Sequence, residues 1–265
     1  MKKLLQTGNL IALIAVIAIN YLSNTGIIAN QTIGEVSDEL NNLFTPAGYT
    51  FSIWGLIYLL LIGFAVFQAR SLWNRSADDS SVTAIGWWFM ISCLANCLWI
   101  VCWLNLWVGW SLIAMLVLLI SLLAIVIKNR MELWDAPNAT IVFLWWPFVI
   151  YSGWITVATV ANVAAYLTWT NWDGWGMNES TWTVIMIGVA GLINLMVTWR
   201  RNMREFALVG AWALFGIAAA NAATNPGIQR TAIITAIILL VSSATHALIN
   251  WKTSPIYRMI RPKRG

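Results

Sequence analysis

Apolar residues run along this chain in eight blocks: 9–28, 50–70, 84–105, 108–127, 139–163, 181–199, 206–222 and 231–251. A block of about 20 apolar residues crosses the roughly 30 Å hydrocarbon layer as an α-helix. Lipid offers no water to unpaired backbone groups, so each block predicts a membrane-spanning helix. The uncharged run from Ser80 to Ile127 would be about 70 Å long as a single helix. It therefore predicts a hairpin, with its turn near Asn105 to Gly109. The block at 206–222, FALVGAWALFGIAAANA, is short and rich in small residues, and fits a locally thinned bilayer. The expected fold class is all-α, a polytopic transmembrane bundle of about eight helices. Between the first two blocks, residues 29–48 are too polar to span. There Ile33, Val36, Leu40 and Leu43 recur at three- and four-residue spacing, and Thr32 and Glu35 have capping-box spacing. This predicts a short amphipathic helix on the surface, ending at Pro46, that either covers a groove between the helices or lies in the interface.

The charges give the orientation. With eight spans and the amino terminus inside, Lys2, Lys3, Arg70, Arg75, Lys128, Arg130, Arg200, Arg201, Arg204, Lys252, Arg258, Arg261, Lys263 and Arg264 share one side, and only Arg230 lies opposite. That asymmetry is the positive-inside pattern and predicts an N-in, C-in protein. The acids Glu35, Asp38, Glu39, Asp173 and Glu179 fall in the two longest outer loops. The net charge of +5 is thus a topology signal, and no nucleic-acid partner is needed to explain it. Composition agrees: 60% of residues are apolar and 9% charged, with a mean hydropathy of +0.74, so the lipid bilayer is the principal partner. The start, MKKLLQTGNLIALIAVIAINYLSNTG, lacks a small-x-small cleavage site and is long enough to be a retained signal anchor. Short loops and basic inner segments point to a multi-pass protein of a bacterial inner (plasma) membrane.

Apart from Arg70 at the very end of the second, none of the eight blocks contains Asp, Glu, Lys or Arg. A charge at a helix centre costs about 2.5 to 3.5 kcal/mol on insertion scales and is kept chiefly for proton relay or ion coupling, so an ion-coupled carrier is disfavoured. No metal-ligand cluster, phosphate-binding glycine loop or Ser-His-acid set is expected. Cys93, Cys97 and Cys102 lie along one helix and read as interior packing residues. The single histidine, His246, is either an axial ligand to a haem-like iron or a neutral imidazole bonded to a neighbouring helix. With no other acid or base in the membrane, no catalytic residue is assigned.

The 19 tryptophans divide into two groups. Trp73, Trp87, Trp88, Trp110, Trp134, Trp172, Trp175, Trp182, Trp199 and Trp251 fall near the ends of the spans, where indole anchors a helix at headgroup level. Four of the others, Trp54, Trp99, Trp103 and Trp154, fall in stripes. Asn96, Trp99 and Trp103 share one face of the third span, Trp54 and Tyr58 one face of the second, and Pro147, Tyr151 and Trp154 one face of the fifth. Helix interfaces in lipid favour small residues, so large rings on facing stripes imply either a tightly filled interior or room for a guest between the helices.

These segments resemble the TspO/MBR family, the tryptophan-rich sensory proteins that include the mitochondrial translocator or peripheral benzodiazepine receptor. In FTPAGYTFSIWGLIYLLLIGF, Pro46, Tyr49, Phe51, Trp54 and Tyr58 follow the family's second-helix pattern, with Ser52 where the family has a proline. ANCLWIVCW is similar to its Asn-x-x-Trp through Asn96 and Trp99, with Trp103 near its aromatic pair. In the fifth span Pro147, Phe148, Tyr151, Trp154, Asn162 and Trp169 match, Asn162 about one turn later than the family asparagine. The resemblance implies a five-helix domain over residues 1–175 with a lid-like loop, followed by a three-helix extension over 176–265 without counterpart in the five-helix family. It also implies binding of planar, largely apolar ligands, porphyrins or other tetrapyrroles among them, with no cofactor required, and proposed roles in transport, stress sensing or light-dependent porphyrin breakdown, the one enzymatic reading, in which the pigment itself supplies the reactivity. The ligand-binding residues would be Trp54, Tyr58, Asn96, Trp99, Trp103, Pro147, Tyr151, Trp154 and Asn162. Two other functions stay open: a small-solute transporter, and a membrane assembly subunit or homo-oligomer docking through Gly216, Ala220 and Ala223.

Overall fold

The computed structural model describes residues 1–251 except 41 and 75–79. Of the basic residues assigned to the inner side, Arg75, Lys252, Arg258, Arg261, Lys263 and Arg264 lie outside the described residues. All regular structure among the described residues is helical. Eight long helices correspond to the eight apolar blocks: α1 (Lys2–Ser23), α3 (Ile53–Ala69), α5 (Trp88–Leu104), α6 (Val108–Lys128), α8 (Trp146–Trp169), α9 (Glu179–Arg201), α10 (Arg204–Ala220) and α11 (Pro226–Ile249). Three short ones, α2 (Ile33–Glu39), α4 (Ser80–Ile85) and α7 (Asn138–Thr140), sit in connections. Six helical segments are long and apolar enough to cross a membrane. Helices α5 and α10, of 17 residues each, stand at the short end of the range that can span.

Several boundaries differ from the expectation for local reasons. Helix α1 starts at Lys2 and stops at Asn24, before Gly26, whose φ of +73° ends the helical path. The third block opens with α4 and breaks at Gly86, φ +55°, so α5 begins only at Trp88. Helix α11 begins earlier than expected because Pro226, lacking an N–H, suits a first turn. Helix α10 also begins early, so Arg204 and Glu205 stand in its first turn rather than outside it. The α5–α6 hairpin turns at Asn105–Trp107, as the uncharged run requires. Ahead of Pro147 the chain passes through a π-helical turn, Ile141–Trp145, a common accommodation where the ladder lacks a donor.

Helix α8 is the axis of the bundle, packing against α3, α6 and α10, while α1 and α5 close the other side. The last three helices form their own antiparallel group, α9 and α10 each against α11, joined to the rest chiefly through the α8–α10 seam. That seam is tight: a Cβ on Gly153 would lie 3.3 Å from the Phe206 Cα. Gly210 faces the buried Asn194 side chain, and Gly191 faces Thr235. Close approach through small residues is how helices gain contact in lipid, where apolar burial alone gives no drive. Gly216 is covered by Thr50 and Pro46, so this position serves an internal contact rather than a partner.

Candidate functional site

Helix α2 begins with the expected capping box. The Glu35 N–H donates to Thr32 Oγ1 at 3.2 Å, and the Thr32 N–H donates to Glu35 Oε2 at 2.7 Å. Its apolar face turns inward, with Ile33 and Val36 buried. Two bonds tie its start to α5: Trp103 Nε1 donates to the Ile33 carbonyl at 3.3 Å, and the Gln31 amide donates to the Leu104 carbonyl. The amphipathic segment is therefore a cover on the bundle's outer end.

Under it the three stripes meet on Trp54. This ring stacks on Tyr58 (centroids 5.6 Å, planes 17° apart) and on Trp99 (6.3 Å, 27°), and meets Tyr151 and Trp154 edge-on at 5.8 and 6.2 Å. Trp99 continues the ladder onto Trp103 at 6.1 Å and 24°. Each such pair contributes about 0.5 to 1.5 kcal/mol beyond area burial. The rings enclose a cavity of about 50 Å³, lined by Trp54, Trp99, Trp103, Trp154 and Asn162, by Phe51 and Met115, by Ala158, Ala161 and Ala165 of α8, and by Ile33, Ser37 and Leu40 of the cover. Of the expected site residues, five thus share one cavity. Tyr58 lines a neighbouring crevice of about 470 Å³ between α1, the cover and α3, which shares Ile33, Phe51 and Trp54 with the cavity.

The remaining expected residues are placed differently. Asn96 and Tyr151 stand behind the rings in a buried chain: Asn20 Nδ2 donates to Asn96 Oδ1 at 2.9 Å, and Asn96 Nδ2 to the Tyr151 hydroxyl at 2.9 Å. Their polar atoms are thus occupied within the protein. Asn162 bonds Ser111 of α6 at 3.3 Å. Pro147 is buried two turns from Trp154, towards the inner end of α8, and takes no part in the cavity. Two wall groups do lack partners: the indole N–H groups of Trp99 and Trp154 are buried without a hydrogen-bond acceptor. Sequence reasoning passed over Asn20, a buried polar residue near the end of the apolar α1. It also passed over the small-residue face of α8, legible in ATVANVAA one turn below Trp154.

The roof beyond the cover is held by the start of α9 and by α10. The Leu43 N–H donates to Glu179 Oε1 at 2.9 Å, and Asn221 Nδ2 donates to the Leu43 carbonyl at 3.0 Å. The Ala47 N–H reaches the Gly216 carbonyl at 3.0 Å, an open bond between backbones, and Trp212 Nε1 donates to the Thr50 carbonyl at 3.0 Å. Tyr49 packs edge-on against Trp212 at 5.4 Å. Thr45, Pro46 and Phe51, which line the cavity, belong to this clamped segment.

The inner end carries the charge. Glu132, in the α6–α7 loop, accepts through its carbonyl from Asn202 Nδ2 at 3.1 Å, and Asn202 Oδ1 lies 3.2 Å from His246 Nε2. The histidine is buried and edge-on to Trp199. Of its two readings, this contact fits an imidazole bonded to a neighbouring helix. Burial, then the nearby Glu205 carboxylate, push the Glu132 carboxyl up to about 8, against the opposing pull of Arg204.

No curated protein and no solved structure matches the chain. The model of the family described as TSPO-like protein matches residues 5–245. The matched stretch runs from the first helix through the cover, the ring ladder and the clamp, into the last turns of α11. On that match over most of its length, the chain belongs to the TSPO-like protein family.

Proposed function

We propose that this membrane protein binds planar, largely apolar ligands of the porphyrin or tetrapyrrole type in its tryptophan-lined groove, for transport or for stress sensing. The observation that carries the reading is the convergence of Trp54, Trp99, Trp103 and Trp154, from three helices, on one uncharged cavity beneath a cover. A wall of indole faces suits a flat π system, which gains by stacking as well as by burial.

At about 50 Å³ the cavity is far below the roughly 300 to 1,000 Å³ of a site that encloses a ligand. Binding therefore requires rearrangement. Phe51 and Trp54 form the partition between the cavity and the 470 Å³ crevice beside α1, and rotating these two rings joins the spaces. The guest then takes the place of ring-on-ring contacts that the empty protein makes with itself. Affinity is reduced by the free energy of opening, as expected when the competent state is a minor one.

Titration with protoporphyrin IX and, in parallel, its dimethyl ester, followed by tryptophan fluorescence, tests the reading. Saturable quenching that weakens in both Trp99→Phe and Trp154→Phe supports it. Quenching that saturates with neither pigment, or that is unchanged in both variants, removes it and leaves the rings as packing.

A further inference from the structure

From the wall and rim of the groove we infer that its ligand is an uncharged planar molecule bearing hydrogen-bond acceptors, and that dicarboxylate pigments are discriminated against. The inference rests on the binding reading above and narrows it to a chemical class.

Three observations carry it. First, among the described residues neither the cavity nor the adjoining crevice has a Lys, Arg or His in its lining. A carboxylate drawn into either space loses water and meets no cation, which is the expensive way to bury a charge. Second, the approach is acidic. The outer side carries Glu35, Asp38, Glu39, Asp173 and Glu179 against the single base Arg230. Asp38 and Glu39 stand on the cover itself, beside the cavity-lining Ser37 and Leu40. A rim of one sign above a low-dielectric groove lowers the local concentration of anions and slows their entry. Third, the wall offers donors. The N–H groups of Trp99 and Trp154 are buried and unpaired, and both residues line the cavity. A carbonyl or imine nitrogen on the ligand would satisfy them without bringing a charge. Carboxylate side chains could escape burial only by projecting outward, into the acidic rim.

The test compares protoporphyrin IX with its dimethyl ester, which keeps the ring and its acceptors and removes both charges. Binding to the full-length protein in neutral detergent is read by tryptophan quenching at low ionic strength. The ester is expected to bind at least about ten-fold more tightly, with the gap narrowing as salt screens the rim. Asp38→Asn with Glu39→Gln, which spares the Glu35 cap, should strengthen diacid binding about three-fold and leave the ester unchanged. Trp99→Phe and Trp154→Phe should each weaken the ester. A diacid that binds as tightly as the ester, or more tightly, overturns the inference while leaving the binding reading standing. A gap unmoved by the rim variant overturns the part assigned to Asp38 and Glu39. If neither pigment quenches saturably, the binding reading itself fails and this inference with it.

Discussion

Helices α3, α5 and α8 meet through rings, whereas α8, α9, α10 and α11 meet through glycine and alanine. Both interfaces lie in the same bundle, and lipid gives neither an advantage from apolar burial alone. The ring interface leaves partners unmade: two indole N–H groups face no acceptor, and a small void remains between large side chains. The small-residue interface is packed more closely, with Gly153, Gly191 and Gly210 each against a neighbour too close to admit a methyl group comfortably, although Asn194 Oδ1 beside Gly210 is likewise buried without a partner. Rings can rotate about two torsions and exchange one stacking partner for another. Backbones in contact through glycine have no such freedom. The difference assigns adaptability to the groove and rigidity to the helices that hold its roof.

The contrast is broken most severely at Gly210. A Cβ there would stand 2.5 Å from Asn194 Oδ1, so Gly210→Leu is expected to cost about 3 kcal/mol or more by overpacking. Thermal unfolding in detergent should show the largest loss in this variant, and adding Asn194→Ala should restore part of it. Next comes Gly216→Val, which drives a side chain into Thr50 and Pro46. A loss of about 1 to 3 kcal/mol is expected. Faster amide exchange at Leu43 and Ala47 should accompany it, while the ring ladder keeps its near-ultraviolet signature. If exchange at those amides is unchanged, α10 does not hold the roof.

Glu132 gives the contrast a pH dependence. Its carboxyl is raised from 4.5 to about 8, so the folded protein holds this proton more tightly than the unfolded chain. Its contribution to stability is therefore fully present below pH 4.5, is lost as pH rises from 4.5 to about 8, and changes no further beyond. The slope is at most about 1.4 kcal/mol per pH unit for one proton. Glu132→Gln should flatten it, and an unchanged slope would assign the proton to another group. The mildest change is Trp103→Phe, which keeps a ring in the ladder and removes the bond to the Ile33 carbonyl. About 1 kcal/mol is expected, read as faster exchange in α2 with little change in melting temperature. A large loss of stability would instead make the ladder rigid and erase the contrast.

Much of this was readable from residues. The eight helices follow from apolar blocks and the bias of Lys and Arg, and the cap of α2 from Thr32 and Glu35 at their fixed spacing. The meeting of Trp54, Trp99 and Trp154 follows from helical periodicity once three stripes face one another. What escaped depends on distance and rotation. No periodicity reports that the rings stack on one another and leave so little space between them. The capture of Asn96 and Tyr151 by Asn20 requires knowing which turn of α1 lies alongside. Pro147 matched a family pattern, yet its place on α8 is too far along the axis to reach the cavity. The clamp on Leu43, Ala47 and Thr50 joins parts of the chain that share no motif.

That last separation sets an order of events. The roof bonds from Trp212 and Asn221 link residues 162 and 178 positions apart. At roughly 5 to 20 residues per second, a ribosome needs on the order of 10 to 35 s to travel that far. During that interval the nascent protein has the walls of its groove in the bilayer and none of the bonds that α10 makes to its roof. On the proposed binding reading, a pigment already dissolved in the membrane would meet an unlatched site in each newly made copy, before the last helices are inserted.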